Sequence, residues 1–270
     1  NHSLYSTFLA LALGMLLYSL FKKDFKTSKL TLFISLFFTI SISFNILIIS
    51  SRLGYVLLFA TIFSMTIIFY GKYLVRAILS TLIVVTIFYM IAYLNLDTFK
   101  ERIHQAKNNI EKIIVKKDFT TSEGIRAGFW FYSLELLNEN PFFGVGTGDH
   151  INYVKNKIIE SKYYNQEPML NILEGGTNTG LHADYLDIFV QFGLIGLLIF
   201  LNIFYQIVRY KTENEHLKAL QVILVVVMLV QALPQGMVYL APINKLFILL
   251  LALTLNLYQN KIDELKIGSR

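Results

Sequence analysis

Three stretches of the chain gather side chains able to do acid–base or anion chemistry. LHADYLDIF (Leu181–Phe189) places His182, Asp184 and Asp187 directly before an apolar run. IISSRLG carries Arg52 between two apolar runs, and GIRAGFWFY carries Arg126 among aromatics that include the only tryptophan, Trp130. An imidazole with an ordinary pKa near 6.5 can take a proton from a hydroxyl at neutral pH. A guanidinium grips a phosphate through a planar fork of donors.

Each of these residues also has a plainer reading. His182 can be a polar residue at a helix entry. Asp184 and Asp187 are sufficiently explained as favourable charges at the positive end of a helix. Arg126 alone reads as a surface or ion-pair residue, or else as a phosphate ligand. Arg52 reads as a snorkelling interfacial arginine or as an anion-binding group. An arginine placed centrally in a span would cost roughly 2.5–3.5 kcal/mol on insertion scales.

Other candidates are weaker. GVGTG (Gly144–Gly148) looks like a phosphate cradle but lacks the lysine and Ser/Thr of a P-loop. Gly144 and Gly146 therefore read as a plain tight turn, with backbone approach to a substrate anion as the alternative. Beside that turn the only pair of metal-ligand types is Asp149-His150, and no HExxH or spaced histidine cluster is present. A metal-independent site with no cofactor is the expectation.

The elements that must position these residues are membrane helices. Of the 270 residues, 55% are hydrophobic and 16% charged, with a mean hydropathy of +0.55; soluble domains carry about 25% charged residues. The net charge of +6 does not point to nucleic acid, because the positives gather in short loops between apolar runs. With no cysteine, disulfide and thiolate chemistry are excluded.

Runs long enough to cross a bilayer are Leu4–Phe21, Leu30–Ile49, Leu53–Tyr70, Ala77–Leu94 and Ile188–Val208. A sixth begins at Ala219. A seventh ends near Tyr258, after Pro234, Gly236, Pro242 and Lys245, which imply a tight reversal or unwound segment. Lys22, Lys23, Lys26 and Lys29, then Lys72 and Arg76, then Arg209, Lys211 and Lys218, and finally Lys261, Lys266 and Arg270 all fall on one side if the spans alternate. That side is read as cytoplasmic. The expected division is residues 1–94 (four spans), 95–184 (a long outer loop) and 185–270 (three spans and a cytoplasmic tail).

Within the outer loop, Phe99, Ile103, Ala106, Ile110 and Ile113/Ile114 recur at helical spacing, so Asp97–Lys117 is predicted to be an amphipathic helix on the membrane or over the bundle. A second helix follows Thr121/Ser122 and runs towards Pro141, and a polar helix is expected around Ile151–Lys162. NQEPMLNILEGGTNTG is read as irregular. His182 lies eleven residues before Gly193, close to three helical turns. On a continuous helix it would share a face with Gly193 and Gly196, small residues that admit a neighbouring helix. Asp184 and Asp187 would then point about 200° and about 140° away.

Together these segments resemble the O-antigen ligase and O-antigen polymerase superfamily of bacterial envelope enzymes, from about Arg52 to the C-terminus. ISSRLG is similar to its Ser-Arg-x-Gly helix entry. GIRAGFWFYSLELLNENPFFGVGTGDH is similar to its outer-loop pattern, in which Trp follows Arg by four residues and Asn-Pro precedes a Gly-x-Gly turn. LHADYLDIFVQFGLIGLLIF is similar to its His, ten residues, Gly-x-x-Gly signature. Ala183 departs from the Asn, Ser or Gln often found there in ligases.

The resemblance implies an all-α polytopic membrane protein, a GT-C-like glycosyltransferase bundle of about seven transmembrane helices with one long, mainly helical periplasmic loop. It implies a multi-pass protein of the bacterial inner membrane. Family members have further helices upstream, and a chain starting at Asn1 without a basic leader is read as N-terminally truncated. The implied reaction is metal-independent transfer of a glycan from an undecaprenyl-diphosphate carrier to an acceptor hydroxyl on the periplasmic face. Arg52 and Arg126 would hold the diphosphate, and His182 would act as general base. Trp130, Phe129, Tyr163 and Tyr164 could offer faces to sugars, though packing explains them equally well.

The acceptor orders the alternatives: lipid A-core (a ligase), a growing glycan (a polymerase), then protein. A transporter or flippase is the reading from another class, disfavoured because no internal repeat or mid-span charged pair is visible.

Overall fold

The computed structural model describes residues 2–22, 28–49, 51–70, 73–161, 166–175, 180–210, 212, 214–236 and 242–254. Lys23, Lys26, Lys72, Tyr163, Tyr164, Lys211, Lys261, Lys266 and Arg270 lie outside the described residues. Every regular element among the described residues is helical.

Five helices are long and apolar enough to cross a membrane: His2–Lys22 (α1), Lys29–Ile48 (α2), Arg52–Phe69 of α3 (Arg52–Tyr70), Ile78–Asn95 of α4 (Leu74–Asn95) and Asp184–Arg209 (α9). These match the first five predicted spans. The sixth apolar run forms a 17-residue helix, Glu215–Gln231 (α10), and the seventh is represented by the shorter Pro242–Thr254 (α11). Five long helices and two shorter ones thus stand where seven spans are expected. Between α4 and α9 lie Asp97–Lys116 (α5), Ser122–Leu134 (α6), His150–Glu160 (α7) and Glu167–Glu174 (α8).

The chain divides into two compact units. The first comprises Asn1–Arg102, Ile207–Val230 and Pro242–Arg270. Its core joins α1, α2, α3 and α4 through Leu13, Ile46, Tyr55, Leu58 and Ala92. Gly14 lets α10 approach α1, because a Cβ there would meet the Ile223 side chain at 2.8 Å. Hydroxyls inside the apolar helices bond back one turn, as in Ser35 to the Thr31 carbonyl, Thr39 to Ser35 and Ser43 to Thr39. Polar side chains are thereby satisfied without water. Phe33 and Ile40 of α2 and Leu79 and Met90 of α4 stay exposed, as lipid-facing surfaces would. A cavity of about 340 Å³ lies among α1 to α4, walled by Leu17, Leu58, Ile62, Met65, Phe69 and Phe88.

The second unit comprises Ile103–Gln206 and Gln231–Ala241. Here α6, α7 and α8 close around Phe129, Tyr132, Leu136, Ile158 and Met169. Thr121 caps α6, its hydroxyl accepting the Gly124 N–H at 3.0 Å. NQEPMLNILEGG is not irregular throughout, since α8 forms within it. Pro168 stands in the first turn of α8, and Met169 packs so tightly on α6 that a Cβ on Gly128 would lie 2.4 Å from its sulfur.

The amphipathic helix appears as α5, ending at Lys116. Its residues divide between the units: Phe99 is buried in the first, and Ile113 packs on the core of the second. Ile103, Ile110 and Ile114 are exposed.

Candidate functional site

The predicted continuity from His182 into the membrane helix does not hold. α9 begins at Asp184, and His182 stands before it with φ 56, in the left-handed region that a residue with a Cβ rarely adopts. Helical phase therefore cannot relate His182 to Gly193 or Gly196. The His182 turn is instead tied down locally. Leu181 and Ala183, its two neighbours, are each 1% exposed in the core of the second unit. The Leu181 N–H donates to Asp187 Oδ1 at 2.8 Å, and the Asp184 N–H donates to the Ala232 carbonyl at 3.1 Å. The imidazole lies half-buried on the Phe129 ring, with centroids 6.2 Å apart and planes 13° from parallel.

Phe129 is fully buried and so presents no face to a sugar; it is the floor under His182. Trp130 is partly buried and packs against the same core.

Arg126 comes to this site from α6. Its Nε–H donates to the Pro234 carbonyl at 3.1 Å and Nη1 donates to the Ser122 carbonyl at 3.3 Å. Pro234 and Ala232 lie in the turn that follows α10, so that turn supplies acceptors for both Arg126 and Asp184, while residues 237–241 of the expected reversal or unwound segment lie outside the described residues. Among the described residues no carboxylate lies within ion-pair distance of Arg126, which is held by neutral oxygens alone. Burial lowers its pKa below the ordinary arginine value. The His182 pKa is also lowered, first by burial and then by the Arg126 charge, with Asp187 acting in the opposite direction.

Two residues set aside in the sequence belong here. Asp187 is 2% exposed and is no solvated helix-entry charge; besides holding Leu181, it stands 3.4 Å from Nε2 of His150. His150 is buried, and neither ring nitrogen has a hydrogen-bond partner among the described residues. Asp184 is likewise buried, at 1% exposure. His150 and Asp187 are 37 positions apart, and only tertiary packing joins them; the adjacent Asp149-His150 was the signal that could have drawn attention.

The glycine-rich turn has a different task from gripping an anion. The Gly144 N–H donates to the Asn140 carbonyl at 3.2 Å, Val145 to Val190 at 2.9 Å and Gly146 to Gln191 at 3.0 Å. Those amides are occupied, so the anion-cradle reading of Gly144 and Gly146 is corrected. Val145 and Gly146 pair with carbonyls that α9 cannot satisfy, because Gly193 breaks the helix with φ 64 and ψ −161. In return, the Leu194 and Ile195 N–H groups donate to the carbonyls of Pro141 and Phe142 at 2.7 and 3.3 Å. Gly193 admits this loop, not a second helix. A Cβ on Gly196 would meet Phe192 at 2.2 Å.

Arg52 belongs to the first unit, as the first residue of α3. Ser51 caps that helix, its hydroxyl accepting the Gly54 N–H at 3.3 Å. A Cβ on Gly54 would lie 2.9 Å from the Ser6 hydroxyl of α1. Ser-Arg-x-Gly is thus a cap, a cation and a close-packing position. Arg52 and Arg102 both act electrostatically on the Tyr55 hydroxyl. Among the described residues no three His, Asp or Glu side chains gather as a metal site would need.

Apolar helices of membrane-crossing length, in a chain whose regular elements among the described residues are all helical, define a multi-pass helical membrane protein. The family model described as O-Antigen ligase matches residues 35–201, more than half of the chain, and the chain belongs to that family. The chain is also similar to an uncharacterized protein of Haemophilus influenzae, 28% identical over 158 residues. The matched region is 56% of this chain and 38% of that protein, so the chain spans well under half of its relative's length.

Proposed function

We propose that the chain carries the reaction centre of a membrane glycosyltransferase that moves a glycan from an undecaprenyl-diphosphate carrier to an acceptor hydroxyl on the periplasmic face, without a metal. The observation that supports this best is the pairing of Arg126, held among the described residues by neutral carbonyls alone, with an imidazole biased towards its neutral form. A cation with no carboxylate partner among the described residues favours an anionic ligand, which Nη2, in neither carbonyl bond, is left to meet. As the acceptor oxygen bonds to the sugar's anomeric carbon, its proton passes to His182. The bond from that carbon to the diphosphate breaks, and Arg126 stabilises the charge that develops on the leaving group.

Ligase action on lipid A-core is the first choice of acceptor. Repeat polymerisation is a near second, because the departure of Ala183 from the ligase pattern narrows the margin, and transfer to protein is third. His182→Ala in the full-length protein should abolish transfer, and wild-type transfer would overturn the general-base role. A deletion strain then separates the acceptors. Long glycans stranded on the lipid carrier mark a ligase. Core bearing a single repeat marks a polymerase. Unchanged lipopolysaccharide sends the search to another acceptor or to transport.

A further inference from the structure

The left-handed backbone at His182 needs an explanation, since a residue with a Cβ adopts it at a cost and keeps it only when its surroundings over-determine it. One of the groups that fix it is a side chain with no other evident task. Asp187 lies one turn into α9, yet its carboxylate turns back to accept the Leu181 N–H at 2.8 Å. It sits so close under the turn that a Cβ on Gly180 would come within 2.5 Å of Oδ2. Behind it, His150 of α7 brings Nε2 to 3.4 Å from Oδ1, and both side chains are buried. A buried carboxylate is costly unless charge or donors compensate it. Here the Leu181 amide is the donor that compensates Oδ1, and the His150 imidazole stands beside it without a hydrogen bond.

We infer that Asp187, backed by His150, is a positioning residue that holds the Leu181–His182 turn and thereby aims the His182 imidazole. This inference rests on the proposed role of His182 as proton acceptor. The charged groups acting on that imidazole are Arg126 from α6 and Asp187 from α9, with opposite effects; His150 from α7 faces Asp187. Losing the Asp187 charge should leave Arg126 unopposed and make His182 still harder to protonate.

The test uses the full-length protein in nanodiscs. Transfer is measured with a polyprenyl-diphosphate-linked glycan as donor, and the His182 ring is followed by NMR with labelled histidine. Asp187→Ala should lower kcat about 10- to 100-fold with little change in donor KM, the scale expected when a reacting group is misplaced. Asp187→Asn keeps an oxygen for the Leu181 amide. It should recover most of kcat while moving the His182 titration, and the acidic limb of the rate, to lower pH. If Asp187→Ala does not fold, Asp187→Asn alone decides through that shift. A wild-type kcat in Asp187→Ala, or an unmoved His182 titration in Asp187→Asn, overturns the inference. His150→Leu at the wild-type rate removes His150 from the device. Should His182→Ala retain transfer, the base reading fails by itself, and the titration of His182 in Asp187→Asn still reports whether Asp187 governs that ring.

Discussion

The backbone of Phe142 fills the place a side chain on Gly193 would need: an ideal Cβ there would lie 2.3 Å from its carbonyl carbon and oxygen. The φ 64, ψ −161 conformation of Gly193 is one that essentially only glycine adopts. Strain and collision therefore act together. Gly193→Ala should destabilise the second unit by about 2–4 kcal/mol, combining left-handed strain with displaced backbone. Gly196→Ala should cost less, because Gly196 carries no left-handed strain, although relief from Phe192 Cβ at 2.2 Å needs the local backbone to shift. Thermal unfolding of the two variants in detergent, compared with the parent, checks the order; equal midpoints would mean the loop yields freely.

This relationship marks where the sequence stops being legible. The long apolar helices could be read directly, because membrane crossing demands length and apolarity that few soluble segments have. Thr121 and the reversal at Pro234 were equally open, since caps and breakers act locally. The break at Gly193 was not. A glycine inside an apolar run looks the same whether a helix passes through it or a loop docks into it. Once the helix is interrupted, and once His182 is found outside it, the phase linking His182 to Gly193 loses its meaning. Asp187 was missed for a related reason: its carboxylate folds back to a residue six positions earlier, and its partner His150 comes from another helix. α8 could have been read, given Glu167 and Pro168 at its start.

Gly180 gives a second test of how the His182 turn is held. Its φ is +54, and an added Cβ would come within 2.5 Å of Asp187 Oδ2. Left-handed strain at one alanine costs about 1–2 kcal/mol, which a folded domain survives. The carboxylate, however, would be pushed from the Leu181 amide. Gly180→Ala is therefore expected to lower transfer about 10-fold or more while the protein remains folded. Kinetics read beside the unfolding midpoint would show it; parallel losses of both would point to stability alone.

The pH dependence follows from the environment of His182. Its folded-state pKa lies below the ordinary 6.5, through burial and the nearby Arg126 charge. The neutral, proton-accepting form is then fully present at pH 7, and transfer should fall only as pH drops below about 6.5. Stability moves in the same direction. Between the folded pKa and the ordinary value the unfolded chain binds more protons, so stability declines as pH falls through that window and levels off below it. His182→Gln should flatten this part of the stability profile. A rate that is already halved at pH 7 would contradict the sign of the shift.

Arg126 supplies the most discriminating substitution, because its fork and its charge can be separated. The wild-type guanidinium bonds the carbonyls of Ser122 and Pro234 through Nε and Nη1, and Nη2 is in neither bond. A lysine keeps the charge as a single compact point and cannot reproduce this span. Arg126→Gln loses the charge as well, and should cost about 100-fold or more in kcat, on the scale of losing one preorganised donor to a developing charge. It should also raise the His182 pKa, carrying the acidic limb of the rate to higher pH, since the cation that opposes protonation is gone. Arg126→Lys should leave that limb nearly in place yet still lose rate. Arg52→Lys should weaken donor use without moving the limb. Rate–pH profiles of the three variants check the pattern; an unmoved limb in Arg126→Gln would separate Arg126 from His182 and leave the guanidinium a structural tie to the 232–236 reversal.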